Sequence, residues 1–125
     1  MHSLLVFAPL LVAAAHLALA RDNDYIDFYD PKEYNDLRDC VTCAIWRCSP
    51  TILDDTDCRT NKCLCRADML ASALPKVHSR ALEECDNNAL DAAIATEYVL
   101  IYCSSKGYNH FAGAAPTGAF KIQPT

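Results

Sequence analysis

Only 3 glycines and 1 tryptophan occur in 125 residues. So little glycine argues against the turn-rich chains of β-sandwiches and barrels, and plentiful alanine favours helix. Positive charge is also short, with 11 Lys and Arg against 16 Asp and Glu, for a net charge of −5. An acidic chain without a basic stripe excludes a nucleic-acid partner and an electrostatic hold on an anionic membrane. No apolar run reaches the roughly 20 residues that a membrane span needs. The end Lys121-Ile122-Gln123-Pro124-Thr125 lacks the hydrophobic tail of a lipid-anchor signal. There is no G-x-S-x-G, no His-x3-His and no H-E-x-x-H. Glu83 and Glu84 are adjacent, so on a helix they point apart and do not pair as acid and base. The chain is therefore expected not to be an enzyme.

The first 20 residues set the compartment. Leu4 to Ala15 is an apolar stretch, Ala18-Leu19-Ala20 is a small-x-small cleavage site, and the polar Arg21-Asp22-Asn23-Asp24 follows. That pattern predicts a secretory signal peptide over residues 1–20 and a secreted, extracellular product starting at Arg21.

All eight cysteines lie between Cys40 and Cys103, at Cys40, Cys43, Cys48, Cys58, Cys63, Cys65, Cys85 and Cys103. In an oxidising space they predict a disulfide framework and not zinc thiolates, even at Cys63-x-Cys65. Spacing alone leaves on the order of a hundred pairings open. Four residues separate Cys58 from Cys63, which a bridge can close outside a regular helix. Cys63 and Cys65, one residue apart, must diverge to different partners.

Residues 21–30 form an acidic, aromatic N-terminal arm whose rings can lie on the domain: Asp22, Asp24, Tyr25, Asp27, Phe28, Tyr29, Asp30. The periodicity predicts a helix over 31–47, capped by Asp30 with Glu33 closing a capping box, and ended by Ser49-Pro50. Tyr34, Leu37, Val41, Ala44 and Ile45 supply its apolar face. Asp54 to Asp57 reads as an acidic turn. A second helix is predicted over 67–73, interrupted by Pro75, and a third over 76–84. After the capping turn Asp86-Asn87-Asn88, a last helix runs over 89–104, stopped by Gly107. Residues 107–125 read as a flexible tail. The predicted fold class is all-α, a small disulfide-stapled basket of about four short helices.

The stretch Cys58-x4-Cys63-Leu64-Cys65-Arg66-x-Asp68, followed by Cys85-Asp86-Asn87-Asn88, Asp91, Ala95, Tyr98 and Tyr102-Cys103, resembles the CFEM family. Leu37-Arg38-x-Cys40 fits as well. This is a fungal extracellular eight-cysteine domain, and the resemblance places it within residues 31–106. It implies a helical basket held by four disulfides. For the core it implies Cys58–Cys63, Cys65–Cys103 and Cys40–Cys85, which leaves Cys43 with Cys48. The last pair requires the first helix to end or kink before Cys48. Hydrophobins and plant lipid-transfer proteins, by contrast, need adjacent Cys-Cys doublets that this chain lacks.

Two departures shape the functional expectation. The family's sixth cysteine would fall near Ala81, and this chain instead carries an additional early thiol among Cys40, Cys43 and Cys48. The family's haem-binding members ligate iron with an Asp three residues before the fourth core cysteine, and Thr60 stands there. A neutral Thr is a poor ligand for ferric iron. Asp57, Thr60 and His78 are the haem-site candidates, with His110 as a further imidazole. No metal site and no resident cofactor are expected, since haem by the family's Asp mode has lost its ligand. Arg59, Lys62 and Arg66 form a small basic spot, and Trp46, Tyr98, Tyr102 and Tyr108 are candidates for a binding face. The expected role is binding of an extracellular protein or cell-wall partner, as a fungal effector or cell-surface protein. The alternative is a carrier of haem or another apolar small molecule.

Overall fold

The computed structural model describes residues 24–108. The expected signal peptide over 1–20, residues 21–23 of the expected arm, residues 109–125 of the expected tail and with them His110 lie outside the described residues. The chain begins with the extended arm and a 3-10 turn at Lys32–Asp36. Helix α1 is Asp39–Thr42, continuing directly into a wider π turn at Cys43–Arg47. Helix α2 is Ile52–Thr56, α3 is Asn61–Leu64, α4 is Ala67–Glu84 and α5 is Ala89–Ser105. The fold is all-α, and the described residues contain no strand, only an isolated bridge between Tyr25 and Thr60.

Helix α5 is the centre. Ala92, Ile94, Ala95, Tyr98, Val99, Tyr102 and Cys103 are all buried, so apolar side chains leave it on nearly every side. Asn88 caps its start by accepting from the Asp91 amide at 3.1 Å, and Gly107 at φ +95° ends it. Helix α4 lays Leu70, Ala73, Val77 and Ala81 against it, at four- and three-residue spacing.

Three local expectations are corrected. The helix expected over 31–47 is broken. Leu37 and Arg38 take extended backbone, so the 3-10 turn and α1 are separate, and the first cap is Pro31, not Asp30. Asp30 instead pairs with Lys106. The expected break at Pro75 is absent, because α4 runs through it to Glu84. Pro75 is exposed, as is Ala71, whose carbonyl loses its helical partner to the proline ring. Burial of the opposite face carries the helix across. The acidic turn at Asp54 is a short helix, because Thr51 and Asp54 form a reciprocal capping box that the sequence reading passed over.

Four disulfides join these elements, at Cys40–Cys85, Cys43–Cys48, Cys58–Cys63 and Cys65–Cys103, and no cysteine is free. Cys40–Cys85 ties α1 to the end of α4, and Cys65–Cys103 ties the end of α3 to α5. Cys48 takes extended backbone where the π turn ends, and the Cys43–Cys48 bridge closes there. Tyr108 packs against the core.

Candidate interaction face

The arm is fastened to the domain through its backbone. The Asn61 amide donates to the Asp24 carbonyl at 2.9 Å, and the Ile26 amide to the Arg59 carbonyl at 3.0 Å. Further along, the Asp27 amide donates to the Tyr102 hydroxyl at 2.9 Å. The Tyr98 hydroxyl donates to the Phe28 carbonyl. Tyr98 and Tyr102 lie four residues apart on α5, so both hydroxyls leave one helix face and meet the same strip of chain. The Tyr102 hydroxyl in turn donates a hydrogen bond to Asn61 Oδ1. Asn61 is fully buried, and its Nδ2 has no partner among the described residues. Burial holds both phenols protonated: Tyr102 is pushed up to about 12, and Tyr98 is raised further.

Phe28 is the arm's anchor. It is 0% exposed, with ring centroids 4.7 Å from Tyr102 and 5.0 Å from Trp46. The next residue turns outward. The Tyr29 amide donates to its neighbour Asp27 Oδ1 at 3.0 Å, a local turn that reverses the chain. The Tyr29 ring then sits edge-to-face against both Tyr34 at 4.7 Å and Trp46 at 5.0 Å. Trp46 Nε1 donates to the Tyr34 hydroxyl at 3.3 Å. Tyr29 is nevertheless 59% exposed, and Tyr25 is 78% exposed. Asp24, Asp27, Asp30 and Asp36, on the same stretch of chain, are exposed, with Asp30 paired to Lys106.

The haem-site candidates lie on different elements, Asp57 at the end of α2, Thr60 at the start of α3 and His78 within α4. Thr60 caps α3 by accepting from the Cys63 amide at 3.3 Å, and the Tyr25 backbone is bridged to it. Asp57 ends α2 in left-handed backbone at φ 55° and is exposed. His78 is exposed on α4. No hydrogen bond or ion pair links the three among the described residues. Arg66 of the basic spot is engaged with Asp68, which holds the Asp68 carboxyl below its ordinary range. Cys40, Cys85 and Asp91 come within 4.8 Å of one another, but their sulfurs are joined in a disulfide and Asp91 pairs with Arg38 at 2.5 Å. A disulfide offers no thiolate to a metal.

Of the residues singled out from the sequence, Trp46, Tyr98, Tyr102 and Tyr108 occupy different depths. Tyr98 and Tyr102 are buried struts, Tyr108 is half-buried against the core, and Trp46 is half-buried beside Tyr29. Sequence reasoning missed Asn61 and Arg80. The Tyr102 hydroxyl on the buried face of the last helix was the signal for Asn61, since buried hydroxyls demand partners. Among the described residues, no helix is long and apolar enough to cross a membrane. No family model, no curated protein and no solved structure matches the chain.

Proposed function

We propose that the chain acts outside the cell as a non-enzymatic binding domain of the CFEM type. It meets an extracellular protein or cell-wall partner through Tyr25, Tyr29, Tyr34 and Trp46. The observation that carries this reading is the state of Tyr29, more than half exposed and yet gripped by rings on two sides. A large ring already fixed loses little freedom on binding, which removes a main cost of association. Aromatic anchors inside a polar rim are the composition of protein interfaces. Here the rim is acidic. The cleavable leader and the four disulfides support an oxidising, extracellular setting. A fungal effector or cell-surface protein fits this reading.

The test is site-directed photocrosslinking. A benzoylphenylalanine at position 29, and another at the exposed position 78 as control, are applied to intact producing cells and their surroundings. One discrete adduct is expected at 29 alone. Excess wild-type protein should compete it away, and a Tyr29→Ser variant should not. Equal labelling at both positions would remove the assigned face.

A further inference from the structure

The four disulfides differ in how they meet solvent. Cys65 and Cys103 are both fully buried, at 0% exposure, while Cys85 and Cys58 shield one side of their bridges at 5% and 2%. Cys43–Cys48 alone has no buried member: Cys43 is half-buried and Cys48 is exposed. It also spans a sequence separation of only 5, against 45 and 38 for the two bridges that join distant helices. Short loops restrict the unfolded chain least, so opening this bridge forfeits the least stability. Cys58–Cys63 shares the short separation of 5 but keeps Cys58 inside the core.

What the exposed bridge encloses is also distinctive. The sequence between the two sulfurs is Ala44-Ile45-Trp46-Arg47, which forms the π turn. Such turns are rare and are held by context. Ala44 and Ile45 are buried, and the Ala44 carbonyl accepts from Arg80 Nε at 2.9 Å, so the first half of the turn has its own anchors. In the second half, the bridge acts together with the Cys48 amide, which donates to the Cys43 carbonyl at 3.1 Å, and with the contacts of Trp46 to Tyr34, Phe28 and Tyr29. Trp46 is the residue that braces Phe28 and Tyr29.

We infer that Cys43–Cys48 is a thiol–disulfide exchange site, opened by an extracellular dithiol reductant of the thioredoxin class, and that its opening releases Trp46 from the arm. This inference goes beyond the binding reading and does not depend on it. The chemistry balances as ordinary exchange. A reductant thiolate attacks the exposed Cys48 Sγ and forms a mixed disulfide with it. The Cys43 sulfur leaves as thiolate and takes a proton. The reductant's second thiol then attacks its own sulfur in the mixed disulfide, freeing Cys48 as a thiol and closing the reductant's disulfide. Two electrons pass from the dithiol to the protein. Cys43 Sγ lies 3.4 Å from Glu84 Oε2. A carboxylate there disfavours the departing thiolate and retards opening.

The experiment exposes the oxidised secreted protein to reduced thioredoxin, quenches with an alkylating agent over time, and maps the modified cysteines by mass spectrometry. Trp46, the chain's one tryptophan, reports the turn by its emission. Cys43 and Cys48 should be alkylated at least tenfold faster than the other six cysteines, with a concurrent red shift in emission and unchanged helical circular dichroism. Glu84→Gln should accelerate opening severalfold. A Cys43→Ser/Cys48→Ser variant should show the shifted emission from the start. Simultaneous alkylation of all eight cysteines, or another pair opening first, overturns the site. Selective alkylation of Cys43 and Cys48 without any change in emission overturns the release of Trp46.

Discussion

Arg80 Nη1 meets Asp55 Oδ2 at 2.7 Å, with the two side chains only 14% and 11% exposed. The same guanidinium reaches the Ala44 carbonyl through Nε. One side chain on α4 therefore ties down both α2 and the π turn. Removing either member strands its partner's charge away from water, which costs more than the pair itself contributes. Arg80→Leu and Asp55→Leu should each destabilise by about 3 kcal/mol. The double variant should cost clearly less than the sum of the singles. Denaturant unfolding of the four proteins measures this coupling, and simple additivity would show the pair to be solvent-screened.

Anchoring of the arm is expected to matter as much as any helix contact. Phe28 is fully buried among Trp46, Tyr98 and Tyr102. Phe28→Ala should cost about 3 to 5 kcal/mol by emptying that space. A loss below about 1 kcal/mol in chemical unfolding would mean that the arm is not part of the cooperative core.

The buried phenols set an alkaline limit. Tyr102 is raised from 10.0 to about 12, and Tyr98 is raised as well, both mainly by loss of water. In the unfolded chain they ionise near pH 10. The unfolded state therefore binds fewer protons above that pH, and stability falls as pH rises. The contribution is complete below pH 10 and is lost progressively from there through pH 12. Each tyrosine lowers the unfolding free energy by about 1.4 kcal/mol per pH unit inside that window. Tyr102→Phe should flatten the slope, at the cost of leaving Asn61 Oδ1 and the Asp27 amide without their hydroxyl. Urea unfolding between pH 9 and 12, followed by helical circular dichroism, reads both effects.

The helical class was legible from periodicity. Leu90, Ile94 and Tyr98 recur at four-residue spacing and place α5 correctly, and Gly107 does end it. The breaks were less legible, because they are decided by long-range contacts. Arg38 leaves the helical conformation and pairs with Asp91 across 53 residues, a contact that no local pattern announces. The cysteine count announced disulfides, while spacing alone could not say which sulfur takes which. The interaction face was half visible. An arm of alternating Asp and aromatic residues was plain, but its engagement with Tyr98, Tyr102 and Asn61 depends on three-dimensional neighbours.

Thr60 separates two accounts of the same segment. As the cap of α3, its hydroxyl satisfies the Cys63 amide beside the Tyr25 bridge. Thr60→Ala should then cost about 1 kcal/mol, the worth of a typical N-cap. Thr60→Asp keeps a capping acceptor and should be near neutral. Haem titration of the wild-type protein should give no Soret shift. If the arm's backbone bridge is what bars a ligand, Thr60→Asp should give none either. A saturable shift in the Asp variant alone would show that the residue, and not the arm, sets haem binding.

Pro75 offers the clearest test of how α4 is held. A proline in a helix interior costs about 3 kcal/mol relative to alanine. Part of that is returned, because proline restricts the unfolded chain and so stabilises by about 1 kcal/mol. The side chain is exposed, so no packing is lost on substitution. Pro75→Ala should therefore stabilise the protein by about 2 kcal/mol, seen as a clear rise in Tm. The gain requires α4 to be continuous from Ala67 to Glu84, since only then does the alanine amide find the Ala71 carbonyl. Two helices meeting at Pro75 would offer that amide no partner, and the substitution would destabilise by freeing the unfolded chain. The sign of the change decides between them.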